Sequence, residues 1–159
     1  MILSAHGITV TLPRRWSGRI FRRAGGNATL HAGDFRLALG DGEFGDRSTG
    51  KMSAGAAFVA LAEYLPGAGL APGQGLFARG AISLPLDPTA FSARRLAHAR
   101  PGQAGMQHFF TAAGRPFCLY VVIAVPRALA DRRRQLVTVG AVLATLRWDP
   151  ADGSAGTPV

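Results

Sequence analysis

Alternating apolar and polar residues predict two extended regions in the first quarter of the chain. Over residues 6–12 every second residue is apolar, which is the period-2 pattern of a strand with one buried face. Pro13 ends this pattern, because proline cannot donate a ladder hydrogen bond. A similar alternation predicts extended structure over residues 28–39, interrupted at Gly33 and Asp34 by a turn or a bulge.

The spacing of apolar residues over residues 52–65 is typical of a helix and not of a strand. Ala, Leu, Glu and Met dominate this segment, its apolar residues share one face at helical spacing, and Ser53 can cap its start. A helix is therefore predicted over residues 52–65, followed by a loop rich in glycine and proline over residues 66–75. The next segment, residues 76–86, is predicted to be another strand.

A β-hairpin is the clearest feature of the second half. Residues 106–111 and 116–125 are joined by a short connection in which Gly114 suits a left-handed turn position. The second arm is apolar on both faces, so it is predicted to be a central strand covered on each side. A long helix is predicted over residues 128–147, and the tail over residues 149–159 is predicted to be disordered.

Together these elements predict a single α+β domain over residues 1–148. Strands fall into an N-terminal set and a central hairpin, and helices interrupt and close the series. This order indicates a largely antiparallel sheet flanked by helices, an α/β/α sandwich with a long C-terminal helix.

Composition places the chain among ordinary globular domains. Its 159 residues are 48% hydrophobic and 17% charged, enough to bury a core without disulfides or metals. No run of about 18 apolar residues is present, so no membrane span is predicted. Residues 1–12 lack the basic and apolar regions of a secretory signal, which predicts a cytoplasmic location. Cys118 lies in an apolar run, where a thiol behaves as a small buried hydrophobe.

The charge is strongly basic and consists almost entirely of arginine. Eighteen basic against nine acidic side chains give a formal net charge of +9, and Lys51 is the single lysine. The excess favours anionic partners, although coding bias in a GC-rich genome would also produce it. Two clusters stand out, one over residues 14–23 with interleaved aromatics and one made of Arg127 and residues 132–134.

Two stretches are candidates for partner binding. Arginine beside an aromatic residue suits binding to a nucleic acid, or to a protein through a partly solvated face. The candidate residues are Arg14, Arg15, Trp16, Arg19 and Phe21 after the first strand, and Gln107, His108 and Phe109 on the hairpin edge.

The glycine-rich loop over residues 40–52 carries the nearest approach to a catalytic motif. It fits G-x-G-x-x-G and the first part of a phosphate-binding loop. Met52, however, stands where such a loop needs a serine or threonine for magnesium, and Asp41, Glu43 and Asp46 would repel phosphate. A flexible, solvated loop is therefore predicted.

Metal binding and catalysis find little support in the sequence. The acidic spacing in the loop does not fit an EF-hand, and the four histidines lack a close metal-ligand spacing. A pair of Cys118 and His108 is conceivable across the hairpin, but nothing would lower the thiol pKa. No metal, no cofactor and no enzymatic activity are therefore predicted.

Both ends of the chain resemble the PsbP-like superfamily. The pattern I-x-V-x-L-P-x-x-W runs from Ile8 to Trp16, and a long helix ends in the sequence VLATLRW at residues 142–148. This superfamily includes the extrinsic oxygen-evolving subunit of photosystem II and bacterial DcrB-like proteins. The resemblance implies an antiparallel sheet between helical layers, in a family of mostly non-enzymatic binding proteins, adaptors and chaperones.

The favoured hypothesis is a small, cytoplasmic, non-enzymatic protein-binding module, acting as an adaptor or as an assembly or secretion chaperone. The alternative is a basic nucleic-acid-binding protein, whose binding would fall steeply with salt. A degenerate nucleotide-binding protein is the third hypothesis.

Overall fold

The structure, a computed structural model, describes residues 1–25, 27–65, 71–126 and 128–150. In this part of the chain, two antiparallel sheets and one long helix form the framework. The strands are β1 (Ile2–Ala5), β2 (Ile8–Thr11), β3 (Ser17–Arg22), β4 (Ala28–Gly33), β5 (Ala57–Glu63), β6 (Gln103–Ala112), β7 (Arg115–Ala124) and β8 (Arg147–Trp148). The helices are α1 (Asp46–Thr49) and α2 (Leu129–Ala144), with single 3-10 turns at Gly75–Phe77, Pro88–Ala90 and Ala93–Arg95.

The small sheet has the order β1-β2-β8. β1 and β2 form a hairpin whose two turn residues, His6 and Gly7, have φ of 52° and 73°. The strand predicted over residues 6–12 is confirmed at β2, while its first two residues belong to the turn. β8 then joins β2 from the far end of the chain.

The large sheet has the order β3-β4-β5-β7-β6, and every pair is antiparallel. The predicted hairpin is confirmed as β6 and β7. Ala113 and Gly114 both adopt left-handed φ, 50° and 70°, as a two-residue hairpin turn requires. All ten residues of β7 are buried, which confirms the prediction of a central strand.

The helix predicted over residues 52–65 is wrong. Residues 57–63 form β5, which lies between β4 and β7. Ala57 to Ala62 are all buried, so both faces of the strand must be apolar and no polar alternation marks it. A short apolar run of this kind has no period that separates strand from helix, and long-range pairing decides its structure.

Two further predicted strands are absent or shortened in the described residues. The chain does bend at Asp34, but beyond Gly33 it leaves the sheet, and Phe35 and Leu37 fold over the sheet face. Residues 76–86 form a 3-10 turn and irregular backbone instead of a strand. The α+β class itself is confirmed, with antiparallel sheets and a long C-terminal helix.

The core lies on both faces of the large sheet. On one face α2 and the small sheet bury the main cluster, which includes Leu30, Val59 and Val121 from the sheet and Val139 from α2. On the other face the loop between β4 and β5 covers a smaller cluster around Phe58 and Tyr120. Of the predicted C-terminal tail, residues 151–159 lie outside the described residues.

A buried arginine at the start of β7 joins the two sheets. Arg115 is 4% exposed and its Nε donates to Glu63 Oε2 at 2.6 Å. Its two terminal nitrogens donate to three carbonyls of the small sheet and its flanks. The acceptors are His6 O at 2.9 Å, Gly7 O at 3.1 Å and Asp149 O at 3.1 Å.

We expect Arg115→Met to lower the free energy of unfolding by about 3–5 kcal/mol, because it leaves the Glu63 carboxylate and the His6 and Asp149 carbonyls without this donor, whereas Gly7 O keeps its bond from the Asp149 amide. Urea unfolding followed by circular dichroism measures the change. Arg36→Met is the matched control, since Arg36 is exposed and makes no hydrogen bond among the described residues. Equal effects of the two substitutions would contradict the role of Arg115.

Candidate functional site

The first arginine cluster does not form one surface. Arg14 and Arg15 are exposed in the turn before β3, whereas Trp16 is buried in the main core. Arg19 is half-buried, with its guanidinium 4.6 Å from the centroid of the Phe21 ring. Only Arg19 and Phe21 of these five candidates therefore make a contact with each other that resembles a binding unit.

Arg22 and Arg23 point to opposite faces of the large sheet. Arg22 Nε donates to His6 Nδ1 at 3.0 Å on the side of the small sheet. Arg23 pairs with the Glu43 carboxylate at 2.8 Å and donates to the Glu63 carbonyl on the other side. Both arginines thus hold segments of this chain together.

The hairpin-edge candidates are also held by intramolecular contacts. Gln107 Nε2 donates to the Arg95 carbonyl at 3.0 Å, and His108 Nε2 lies 2.8 Å from the Gly80 carbonyl. Phe109 packs against the rings of Phe77 and Tyr64, which also contact each other. In addition β6 is the opposite edge of the sheet from β3, about 19 Å away at the usual strand spacing. The structure therefore does not bring the two predicted stretches together.

His31 stands at the centre of a buried polar cluster beneath the loop between β4 and β5. Its ring lies between Phe21 and Phe58, and its Nε2 is 3.0 Å from the Glu43 carbonyl. Because a carbonyl only accepts, Nε2 carries the proton and Nδ1 is an acceptor. Burial is the main cause of a lowered His31 pKa, so the ring is held neutral.

Several buried polar atoms around His31 have no hydrogen-bond partner among the described residues. They come from β3, the connection between β3 and β4, β4 itself and the covering loop, and include both donors and acceptors. The atoms are Arg19 Nε, Arg23 Nε, Asn27 Oδ1, Thr29 Oγ1, His31 Nδ1 and Glu43 Oε1.

Cys118 and Tyr64 lie near the same cluster and are both held protonated. Burial raises the pKa of the Cys118 thiol to about 12, with a smaller contribution from the Glu43 carboxylate. Burial and the same carboxylate raise the pKa of Tyr64 well above its usual range. A thiol in this state is a poor nucleophile, so pairing of Cys118 with His108 for catalysis gains no support.

The prediction that the glycine-rich loop is solvated is wrong in part, because Asp41, Gly45, Ser48 and Thr49 are buried. Asp41 accepts hydrogen bonds from the backbone amides of Gly42, Arg47 and Ser48 at 3.0, 2.9 and 2.7 Å. The last two belong to the first turn of α1, so a side chain of this protein holds the amides that a phosphate would need. Burial alone would raise the Asp41 pKa, but the hydrogen bonds from the Ser48 side chain and from these amides outweigh it and lower the pKa.

An apolar groove runs along one side of α2. Its volume is about 620 Å³, and all its lining residues except one arginine are apolar. The lining residues are Leu84, Pro85, Leu86 and Pro88 from the segment after β5, and Arg133, Leu136, Val137, Gly140 and Ala144 from α2. The sequence did not reveal this groove, because residues 76–86 were predicted to be a strand.

The α2 wall of the groove is a continuous stripe. The spacing from Arg133 to Ala144 covers eleven residues, or about 16 Å of helix. Val137 on this stripe is 71% exposed, and Leu84 opposite is 39% exposed. Gly140 keeps the middle of the stripe open, since its nearest neighbour for an added Cβ is Leu84 Cδ2 at 4.0 Å.

The second arginine cluster lies at the start of the same helix. Arg133 lines the groove, Arg132 is half-buried, and Arg134 is 3.4 Å from Asp131 on another side of α2. Arg127 lies outside the described residues.

Comparisons of the chain with protein-family profiles, curated proteins and solved structures give no match. In the described ranges, no helix has the length and apolar character needed to cross a membrane. Nor do His, Cys, Asp and Glu side chains of those residues form a group of three suited to a metal ion.

We expect the free energy of unfolding to fall as pH decreases from about 7.5 to 5, by at most about 1.4 kcal/mol per pH unit. The unfolded chain takes up a proton at the ordinary histidine pKa of 6.5, whereas folded His31 resists it. The contribution of neutral His31 to the free energy of unfolding is therefore fully present above pH 6.5, and it is lost as the pH falls from 6.5 toward the lower pKa of the folded state. His31→Gln should flatten this slope, and the exposed His98→Gln should keep it. An unchanged slope in His31→Gln would show that another group is responsible.

We expect Gly45→Ala to lower the free energy of unfolding by about 2–3 kcal/mol. Gly45 has a φ of 66°, and an added Cβ would collide with the Phe58 ring. Gly102→Ala is the control, since Gly102 has a φ of 74° but open space around it. It should cost only the backbone strain, about 1 kcal/mol. Equal losses in thermal or urea unfolding would mean that the Phe58 contact contributes nothing.

Proposed function

We propose that this chain is a small, cytoplasmic, non-enzymatic protein-binding module of the adaptor or chaperone type. In this proposal the groove along α2 holds an acidic, amphipathic helix of a partner protein. The observation that carries the proposal is the groove itself, an open apolar cleft of about 620 Å³ on an otherwise strongly basic chain.

The shape of the groove suits a helix. Its stripe of about 16 Å matches three helical turns, which is long enough for an amphipathic helix to present apolar residues at i, i+3, i+4 and i+7. Gly140 in the middle of the stripe allows close approach of a second helix. Exposed Leu84 and Val137 on opposite walls supply apolar surface that is removed from water on binding.

Charge indicates which amphipathic helix would bind. Arg133 lines the groove, and the whole chain carries a net charge of +9. Carboxylates flanking the apolar residues of a partner would be attracted, while a basic helix would be repelled. The resemblance to the PsbP-like superfamily supports a binding role, and membership of that family stays a prediction.

We expect peptides selected against this protein to share one pattern. A display library of random 16-residue peptides is selected on the wild-type protein and counter-selected on Gly140→Phe, which fills the groove. The enriched peptides should carry apolar residues at helical spacing, flanked by Asp and Glu. By fluorescence anisotropy they should bind Gly140→Phe at least tenfold more weakly than wild type.

Two variants serve as controls. Ala141→Phe adds the same side chain at an exposed neighbouring position that does not line the groove, and it should change affinity less than twofold. Gly140→Ala should keep binding and raise the free energy of unfolding by about 0.5–1 kcal/mol, because alanine suits a helix interior better. Selected peptides without helical periodicity, or with equal affinity for Gly140→Phe, would overturn the proposal. Tight, salt-sensitive binding of a 20-nucleotide single-stranded RNA in place of peptides would favour the nucleic-acid alternative.

A further inference from the structure

A second cleft, the Trp16 cavity, lies on the other side of α2. Its lining residues on the helix are about 150° around the axis from those of the groove. The volume is about 220 Å³, which suits a small group and not a helix. The lining residues are Trp16, Asp34, Gly55, Ala57, Pro126, Asp131, Arg134, Gln135 and Thr138.

The charge of the Trp16 cavity has the opposite sign to that of the whole chain. Two of its three charged lining residues, Asp34 and Asp131, are acidic, and the third is Arg134. Asp131 and Arg134 form an exposed pair at 3.4 Å, which contributes little. Asp34 uses Oδ1 to accept from the Ala57 amide at 2.9 Å, and its other oxygen accepts no bond from the described residues. A cation is therefore favoured here.

Gln135 forms a rigid part of the cavity lining. Its Nε2 lies within hydrogen-bond distance of the carbonyls of Gly55, Ala56 and Ala124, at 3.0, 2.7 and 3.2 Å. Because the amide has two hydrogens, two of these carbonyls share one of them. The residue is 8% exposed, and its Oε1 accepts no hydrogen bond from the described residues. Gln135 Oε1 is closed off from solvent, so this side chain contributes a fixed wall to the cavity and the charge comes from its carboxylates.

Trp16 provides the apolar wall. It is 6% exposed, and tryptophan is the aromatic side chain that attracts a cation most strongly over its ring face. Pro126 and Ala57 add aliphatic surface next to it. An indole and two carboxylates around a small space match an ammonium group on a short alkyl chain.

We propose that the Trp16 cavity binds a primary or methylated ammonium group on a short alkyl chain, carried by a lysine side chain of a protein or by a free amine. This proposal is independent of the groove, because none of the lining residues is shared. A failure of one proposal therefore leaves the other in place.

The test is a titration of the ¹⁵N-labelled full chain followed through its two indole N–H signals. With n-butylammonium, the Trp16 signal should shift and saturate at millimolar concentration, and the Trp148 signal should not move, since Trp148 packs on Phe110 and Phe117 elsewhere. Neutral butan-1-ol of the same length should shift Trp16 at least fivefold less. Equal shifts with the alcohol, or equal shifts of both indoles, would overturn the proposal.

Isosteric variants test whether the negative charges of Asp34 and Asp131 attract the ammonium group. Asp34→Asn keeps the acceptor for the Ala57 amide and should weaken n-butylammonium binding at least fivefold. Asp131→Asn, at an exposed position, should weaken it at least twofold and guards against a folding effect at Asp34. Asp87→Asn is the matched control, because Asp87 accepts from the Thr89 amide outside the cavity. Unchanged affinity in both cavity variants, or an equal loss in the control, would overturn the proposal.

A second ligand pair distinguishes the source of the ammonium group. Nα-acetyl-lysine N-methylamide places the ammonium on a peptide-like backbone, whereas n-butylammonium lacks one. Tighter binding of the lysine derivative supports a protein partner, and tighter binding of the simple amine supports a free amine. Saturable binding of neither would overturn the proposal.

Discussion

The buried guanidinium of Arg115 is the interaction on which the arrangement of the two sheets depends. Arginine suits this position because its donors diverge in one plane, so that a single side chain reaches a carboxylate and several carbonyls at once. Arg115 lies at the first position of β7 and reaches both the β1–β2 turn and the residue after β8. The β1–β2 turn and the residue after β8 are thereby fixed to β7, the most buried strand of the large sheet.

This arrangement leaves α2 with a packed face and two open flanks. The small sheet covers part of the main core, and α2 covers another part. Gln135 fixes the first half of the helix to the two residues before β5 and to the last residue of β7. Where the helix meets loops instead of strands, clefts remain, the groove beside residues 84–88 and the Trp16 cavity. Their positions follow from packing, whereas their chemistry follows from the residues that line them.

Local patterns predicted the elements whose structure is decided locally. The β6–β7 hairpin was predictable because Gly114 and the flanking apolar runs are adjacent in sequence. The helix α2 was predictable because its apolar residues keep helical spacing over many residues. β5 was not, since a strand buried on both faces shows no alternation, and its partners β4 and β7 are distant in sequence. The groove was missed for the same reason, because one wall comes from residues 84–88 and the other from a helix about fifty residues later.

The net charge of the chain does not by itself indicate the charge of a ligand. Arg23, Arg100 and Arg115 all pair with carboxylates of this chain, so part of the basic total acts in folding and not in recognition. Asp41 likewise accepts hydrogen bonds from two amides of α1. The loop that resembles a phosphate-binding loop in sequence therefore has a structural role. The charge at each cleft is set by the side chains that line it. The groove is lined by a basic residue, and the Trp16 cavity by more acidic than basic residues. A chain with one overall charge can therefore recognise ligands of both signs, provided that each lies within about 10 Å of its own cluster, where screening by salt is incomplete.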